Sequence, residues 1–85
     1  MIPSDRPVRE LLEYLVRGLV DDQTAVAVEE TDKNGQPVLT VRVAPQEVGK
    51  IIGRQGRTVK AIRAVVAAAD RKGGQRTAVE IADPG

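Results

Sequence analysis

The chain reads as a small α+β domain with element order α-β-β-α-α-β, and three observations predict it. Apolar residues recur at helical spacing over residues 4–20 and again over 57–70. Between them, Asn34-Gly35 separates two short runs of alternating polarity, which is the strongest short hairpin signal. A Gly-x-x-Gly turn, Gly53-Arg54-Gln55-Gly56, then joins a short helix to a long one, and a last alternating run, Thr77–Ala82, closes the chain. Eighty-five residues suffice for one domain, spanning 1–85, with a three-stranded sheet packed against helices on one face.

The first helix, 4–20, takes Ser4 or Asp5 as its cap and accepts Pro7 in its first turn, where a missing N–H costs little. Val8, Leu11, Leu12, Leu15, Leu19 and Val20 form its apolar stripe. Gly18 is a poor helix residue, about 1 kcal/mol worse than Ala, and marks close packing. Tyr14, the single aromatic, lies off the stripe and is expected as a partly exposed packing residue, not a base-stacking platform. Asp21-Asp22-Gln23 links this helix to a strand near 24–31, in which Val26 and Val28 alternate with polar or small neighbours. The return strand, about 37–43, puts Leu39, Val41 and Val43 on one face and Thr40 and Arg42 on the other. Pro37 is acceptable at its first position. The pair is expected as an antiparallel hairpin with one buried face.

Pro45 opens a short helix of about 45–52, as proline prefers first helical positions. After the turn, the helix of 57–70 has Val59, Ile62, Val66 and Ala69 as its core stripe. Its second half, Ala64-Val65-Val66-Ala67-Ala68-Ala69, is apolar all round, and such a helix is buried on more than one side. In so small a domain the surplus points to a second protomer, with Val65, Ala68 and Ala69 as the dimer surface; the alternative is that the alanines favour the helix and sit harmlessly in solvent. Arg71, Lys72, Gly73 and Gly74 give a cationic last turn and a glycine stop. Val79 and Ile81 face inward on the final strand, and residues 83–85 are expected to fray.

Composition excludes several function classes. The chain has no Cys and no His, which removes disulfides, thiol chemistry and the usual zinc sites, so no metal or cofactor is expected. No apolar run approaches the ~20 residues of a membrane span, and the N-terminus lacks a signal-peptide core. A soluble, cytoplasmic protein is the expectation. Net charge is +1, but it is unevenly spread. Residues 1–41 carry four basic and eight acidic side chains, whereas residues 42–63 carry Arg42, Lys50, Arg54, Arg57, Lys60 and Arg63 against Glu47 alone. The cationic stretch is centred on the Gly-x-x-Gly turn, as a phosphate-binding surface requires. Glycine permits a positive φ and lets another backbone approach closely. The first N–H groups of the following helix carry the positive end of its dipole, so the turn suits an anionic ligand.

The run Ile52-Gly53-Arg54-Gln55-Gly56-Arg57-Thr58-Val59-Lys60-Ala61-Ile62 resembles the signature of a K-homology (KH) domain. A helix and hairpin upstream with a lone strand downstream matches the type II topology; only 29 residues follow Gly56, too few for type I. Size and the segment Val48–Thr58 resemble the small bacterial single-KH proteins of the KhpA family. That resemblance implies an RNA chaperone or post-transcriptional regulator, linked to cell shape and cell-wall organisation, often working with a larger KH partner of the Jag/KhpB type. It also implies that the turn clamps the backbone of about four single-stranded nucleotides. Carried onto this chain, Gly53 and Gly56 admit the sugar-phosphate, Arg54 contacts phosphate bidentately and Gln55 adds uncharged hydrogen bonds. Lys50, Arg57 and Lys60 extend the field; Val48, Ile51 or Ile52 and a residue of strand 38–43 wall the groove for bases. With one aromatic in the chain, stacking contributes little, so binding is expected to be weak and backbone-led.

Two other classes compete. Catalysis is disfavoured because one Ser, no Cys and no His leave no nucleophile and base to pair. Walker and dinucleotide-binding patterns fail on glycine spacing. A protein-interaction module on a degenerate KH fold remains the alternative; acidic residues in the turn would favour it, and Arg54 and Gln55 oppose it.

Overall fold

The computed structural model describes residues 7–71 and 76–82 of the chain. Helix α1 spans Pro7–Arg17, strands β1 and β2 span Ala27–Lys33 and Gln36–Arg42, and helix α2 spans Val48–Ile52. Helix α3 spans Arg57–Arg71 and strand β3 spans Ala78–Ile81. Short 3-10 turns at Gln23–Ala25, Pro45–Glu47 and Arg54–Gly56 join them. The expected order α-β-β-α-α-β is therefore observed. The expected cap at Ser4 or Asp5, the stop at 72–74 and the frayed 83–85 lie outside the described residues.

The sheet is built around the hairpin. Asn34 and Gly35 both take positive φ, 55° and 85°, the conformation a two-residue turn needs if its twist is to match the strands. Asp32 Oδ1 accepts the Gly35 N–H at 2.8 Å and closes the loop. β1 pairs with β2 antiparallel, with Val28 opposite Val41 and Glu30 opposite Leu39. β3 then adds to β2 in parallel, placing Val79 beside Leu39 and Ile81 beside Val41. The sheet order is β1-β2-β3. Val28, Leu39, Val41 and Val79 thus share one face, and α1 and α3 cover it with Val8, Leu12, Val16, Ile62 and Val66. Ile51 of α2 completes this core and is fully buried.

Several local expectations are corrected. α1 ends at Arg17, not at 20, with Gly18 N–H donating to Tyr14 O at 3.1 Å and Leu19 N–H to Val16 O at 3.0 Å. Because the helix stops there, Leu19 falls out of phase and is exposed, while Val16 continues the Val8-Leu12 line inward. Leu11 and Leu15 lie half-buried on the flank. Tyr14 is 78% exposed and packs against little. β1 begins at Ala27, since residues 23–25 form a turn ahead of it. On α3, Ala69 is exposed and Asp70 is buried instead, because a four-residue step from Ile62 to Val66 leads on to 70.

The hairpin's far face is also not wholly open. Val38 is buried there, between Thr31 and Ala78. Lys33 Nζ reaches Glu80 Oε2 at 3.4 Å across β2, and the register places that crossing at the level of Val38.

Candidate nucleic-acid interface

The Gly-x-x-Gly turn holds three of the five positive-φ residues among those described, Gly53, Gln55 and Gly56. α2 closes when Gly53 N–H donates to Gly49 O at 2.8 Å. Gly53 then takes φ 77° and ψ 169°, outside the range of an L side chain. A β-carbon there would strike the Thr58 Oγ1, and would lie 2.6 Å from Thr58 Cβ and 2.8 Å from Thr58 N. Gly56 takes φ 74°, and its N–H donates to Gly53 O at 3.1 Å. No atom lies within 4 Å of the place its β-carbon would occupy. Gly53 is thus required by its neighbour and its φ, whereas Gly56 is required by its φ alone and faces open space that another backbone can enter.

Gln55, read in the sequence as a hydrogen-bonding side chain, also helps to make the turn. Its φ of 57° and ψ of 25° are left-handed, a conformation costing a non-glycine residue about 1–2 kcal/mol. Arg54 and Gln55 both project into solvent. Arg57 Nη2 donates to Gln55 Oε1 at 3.3 Å, across the first turn of α3.

The six cations of the basic stretch divide into two sets. Arg42 pairs with Glu29 at 3.0 Å on the far face of the sheet. Arg63 turns to the β3 edge, where its Nε donates to Val79 O at 3.3 Å. Lys50 donates to Asp21 Oδ2 at 3.0 Å and to Glu47 Oε1 at 3.1 Å, bonds that hold its pKa above the usual lysine value. Among the described residues, Arg54, Arg57 and Lys60 make no ion pair and are exposed. Arg63, bonded to a backbone carbonyl, also keeps its charge but presents it at the β3 edge. The field at the turn therefore comes from Arg54, Arg57 and Lys60, while Lys50 is engaged by Asp21 and Glu47.

The candidate groove walls sort by exposure. Ile51 is fully buried and serves the core; Ile52 and Val48 keep part of their surface. In strand 38–43, Leu39 and Val41 are sealed in the core, and Val38 and Thr40 point to the far face. That leaves Val43, half-buried against the core just ahead of the Pro45 turn.

Glu47 is the residue that sequence reasoning passed over. Only 3% of it is exposed, and its carboxylate accepts the Asp21 N–H at 2.6 Å and the Asp22 N–H at 3.0 Å. Those two amides, followed by Lys50, hold its pKa below the usual carboxylate value against the opposing effect of burial. The one available signal was a lone acid in a cationic stretch, directly ahead of Val48-Gly49-Lys50-Ile51-Ile52.

The model of the KhpA/KhpB KH domain matches residues 9–81. The chain belongs to the KhpA/KhpB KH-domain family. Among its relatives, the RNA-binding protein KhpA of Clostridium acetobutylicum is 43% identical over 74 residues, covering 87% of this chain and 99% of the relative. The RNA-binding protein KhpA of Streptomyces coelicolor is 43% identical over 76 residues, 89% of this chain and 92% of its own. That of Aquifex aeolicus is 38% identical over 74 residues, 87% and 94% of the two chains. No solved structure matches the chain. The family accounts for the type II order of elements and for the turn's position between α2 and α3. Among the described residues there is no cluster of three potential metal ligands and no helix long and apolar enough to cross a membrane.

Proposed function

We propose that the chain binds single-stranded RNA at the Gly53–Gly56 turn. One observation carries this reading: two glycines held at positive φ frame an open surface, and three exposed cations with no ion pair among the described residues, Arg54, Arg57 and Lys60, stand in and beside it. Phosphate approaches the main chain at Gly56 and the opening amides of α3, while Arg54 supplies a bidentate contact. Ile52, Val48 and Val43 give an apolar wall against which bases lie. The relatives' name, RNA-binding protein KhpA, agrees with this chemistry. No catalytic step is assigned.

We further propose that the chain acts as a cytoplasmic RNA chaperone or post-transcriptional regulator, connected to cell shape and envelope growth, as the sequence resemblance implies. It works as a homodimer or with a larger KH protein of the Jag/KhpB type. Self-association is supported by one surface: Val65 is 42% exposed, and Ala68 and Ala69 are exposed beside it on α3. The test is a titration with single-stranded and duplex RNA of one sequence, at several salt concentrations. Tighter binding to the single strand, weakening with salt, is expected; equal affinity for both forms overturns the groove, and no binding favours an interaction module on the KH fold.

A further inference from the structure

We propose that Glu47 is a positioning residue of the RNA interface, holding α2 and hence the Gly53–Gly56 turn in place from the α1–β1 link. This rests on the assignment of the turn as the RNA site. α2 has five residues and no side-chain cap at its start. A helix so short does not hold itself, since isolated helices below ~12–15 residues are marginal in water. Its place must come from outside contacts. Ile51, fully buried, fixes how deep α2 sits. Val48 and Ile52 are half-buried beside it and α2 packs against α3, but apolar contacts are non-directional and orient a five-residue helix only weakly.

Glu47 supplies direction. Its two oxygens accept the consecutive N–H groups of Asp21 and Asp22 at 2.6 and 3.0 Å, a bidentate and charge-assisted arrangement. One turn later, Lys50 Nζ returns to the same carboxylate and to Asp21. The short helix is thereby tied twice to a link 25 and 26 residues earlier in sequence. Gly53, six residues beyond Glu47, inherits that placement through the hydrogen bond from its N–H to Gly49 O. Glu47 is nearly inaccessible and does not meet RNA, so any effect it has on affinity acts through the turn.

The same clasp selects a side. Lys50 faces two carboxylates, and Asp21 is 94% exposed beside it. The link edge of α2 therefore repels phosphate, and Arg54, Arg57 and Lys60, without an ion pair among the described residues, draw the strand to the opposite edge.

The test uses Glu47→Gln, which keeps size and one acceptor oxygen but loses the second acceptor and the charge facing Lys50. Affinity for single-stranded RNA is measured well below the melting temperature, beside amide resonances of the labelled protein. A residue that merely stabilises the fold would lower the melting point and leave the affinity of the folded protein intact. The expected result is 3- to 10-fold weaker binding, with displaced Gly53 and Gly56 amides and unmoved Asn34 and Gly35 amides. Arg54→Asp with Gln55→Asp is run in parallel. If that double variant loses RNA while Glu47→Gln binds like wild type with unmoved turn amides, the positioning role is overturned and the turn assignment stands. Wild-type affinity in the double variant overturns the turn assignment instead. Should Glu47→Gln not fold, hydrogen exchange on the wild-type protein decides: RNA must slow exchange at the Asp21 and Asp22 amides, and unchanged rates overturn the inference.

Discussion

Thr58 occupies the space that a side chain on Gly53 would need, with its Cβ 2.6 Å from where a β-carbon would stand. The turn is therefore locked from inside by the first residues of α3, while its outer glycine, Gly56, is left open. The two glycines should respond differently to the same change. Gly53→Ala combines backbone strain with displacement of Thr58 and should cost about 2–4 kcal/mol. Gly56→Ala meets only its φ penalty, about 1–2 kcal/mol. At roughly 4–8 °C per kcal/mol for a domain of this size, thermal melts should separate them clearly. Equal losses would show that the Thr58 contact is not what makes Gly53 necessary.

Glu47 also gives the fold an acid limit. Its pKa is lowered from 4.5, so its bonds to Asp21 and Asp22 contribute stability that is present above that value. The contribution is lost as pH falls through the lower, folded-state value. Asp21, Asp22 and Lys50 are the charged groups around it, and Lys50, its pKa raised from 10.5, stays protonated throughout this window. Melting temperature should drop below pH 4.5 more steeply in wild type than in Glu47→Gln, whose amide does not titrate. Parallel curves would remove Glu47 from the acid response.

What could be read in the sequence was whatever local chemistry fixes. Asn34-Gly35 permits few conformations, and the Gly53–Gly56 turn few others, so hairpin and turn were visible from four glycine or asparagine positions. Core positions failed where phase depended on a helix's end: Leu19 was expected inside and Val16 takes its place, because α1 stops at Arg17. Asp70 replaces Ala69 for the related reason that step size along α3 is set by packing, not by polarity. The Glu47 clasp was invisible because its partners are backbone amides 25 and 26 residues away, and every residue has an amide. The same contact hid the fate of Lys50, which in sequence looks like any other cation near the turn.

Self-association should run through α3. A glutamate at Val65, which is 42% exposed, would bury an unpaired charge in any interface formed there. Loss of about 2 kcal/mol or more, at least ~30-fold in dimer affinity, is expected for Val65→Glu. Light scattering of the two proteins at high micromolar concentration checks it. A wild-type monomer under those conditions refutes the dimer.

Salt dependence should count the free cations. Three that stand at the turn, Arg54, Arg57 and Lys60, make no ion pair among the described residues. If each neutralises one phosphate, log K falls by about 2 per tenfold rise in salt, at ~0.7 per contact on a single strand. Lys60→Ala should reduce that slope by about one contact, whereas Lys50→Ala should leave it nearly unchanged because Lys50 already faces Asp21 and Glu47. A slope twice as large would mean that the paired cations open on binding.

The turn's own side chains give the sharpest separation of site from scaffold. Replacing Arg54 and Gln55 with aspartates changes the local charge from +1 to −2 where phosphate must sit. Both positions are exposed, and neither contributes to the core. Aspartate also tolerates the left-handed conformation that Gln55 adopts at φ 57° better than glutamine does. The carboxylates would precede the N-terminus of α3, where its dipole favours negative charge. Helix content and melting temperature should therefore hold, and the loss of the Gln55–Arg57 bond, exposed at 3.3 Å, should matter little. RNA binding should fall by about 2–4 kcal/mol, a ~30- to 1,000-fold loss, from repulsion and the missing Arg54 contact. Circular dichroism checks the fold and RNA titration checks the site. Undiminished affinity in the folded double variant would place the RNA elsewhere on the domain.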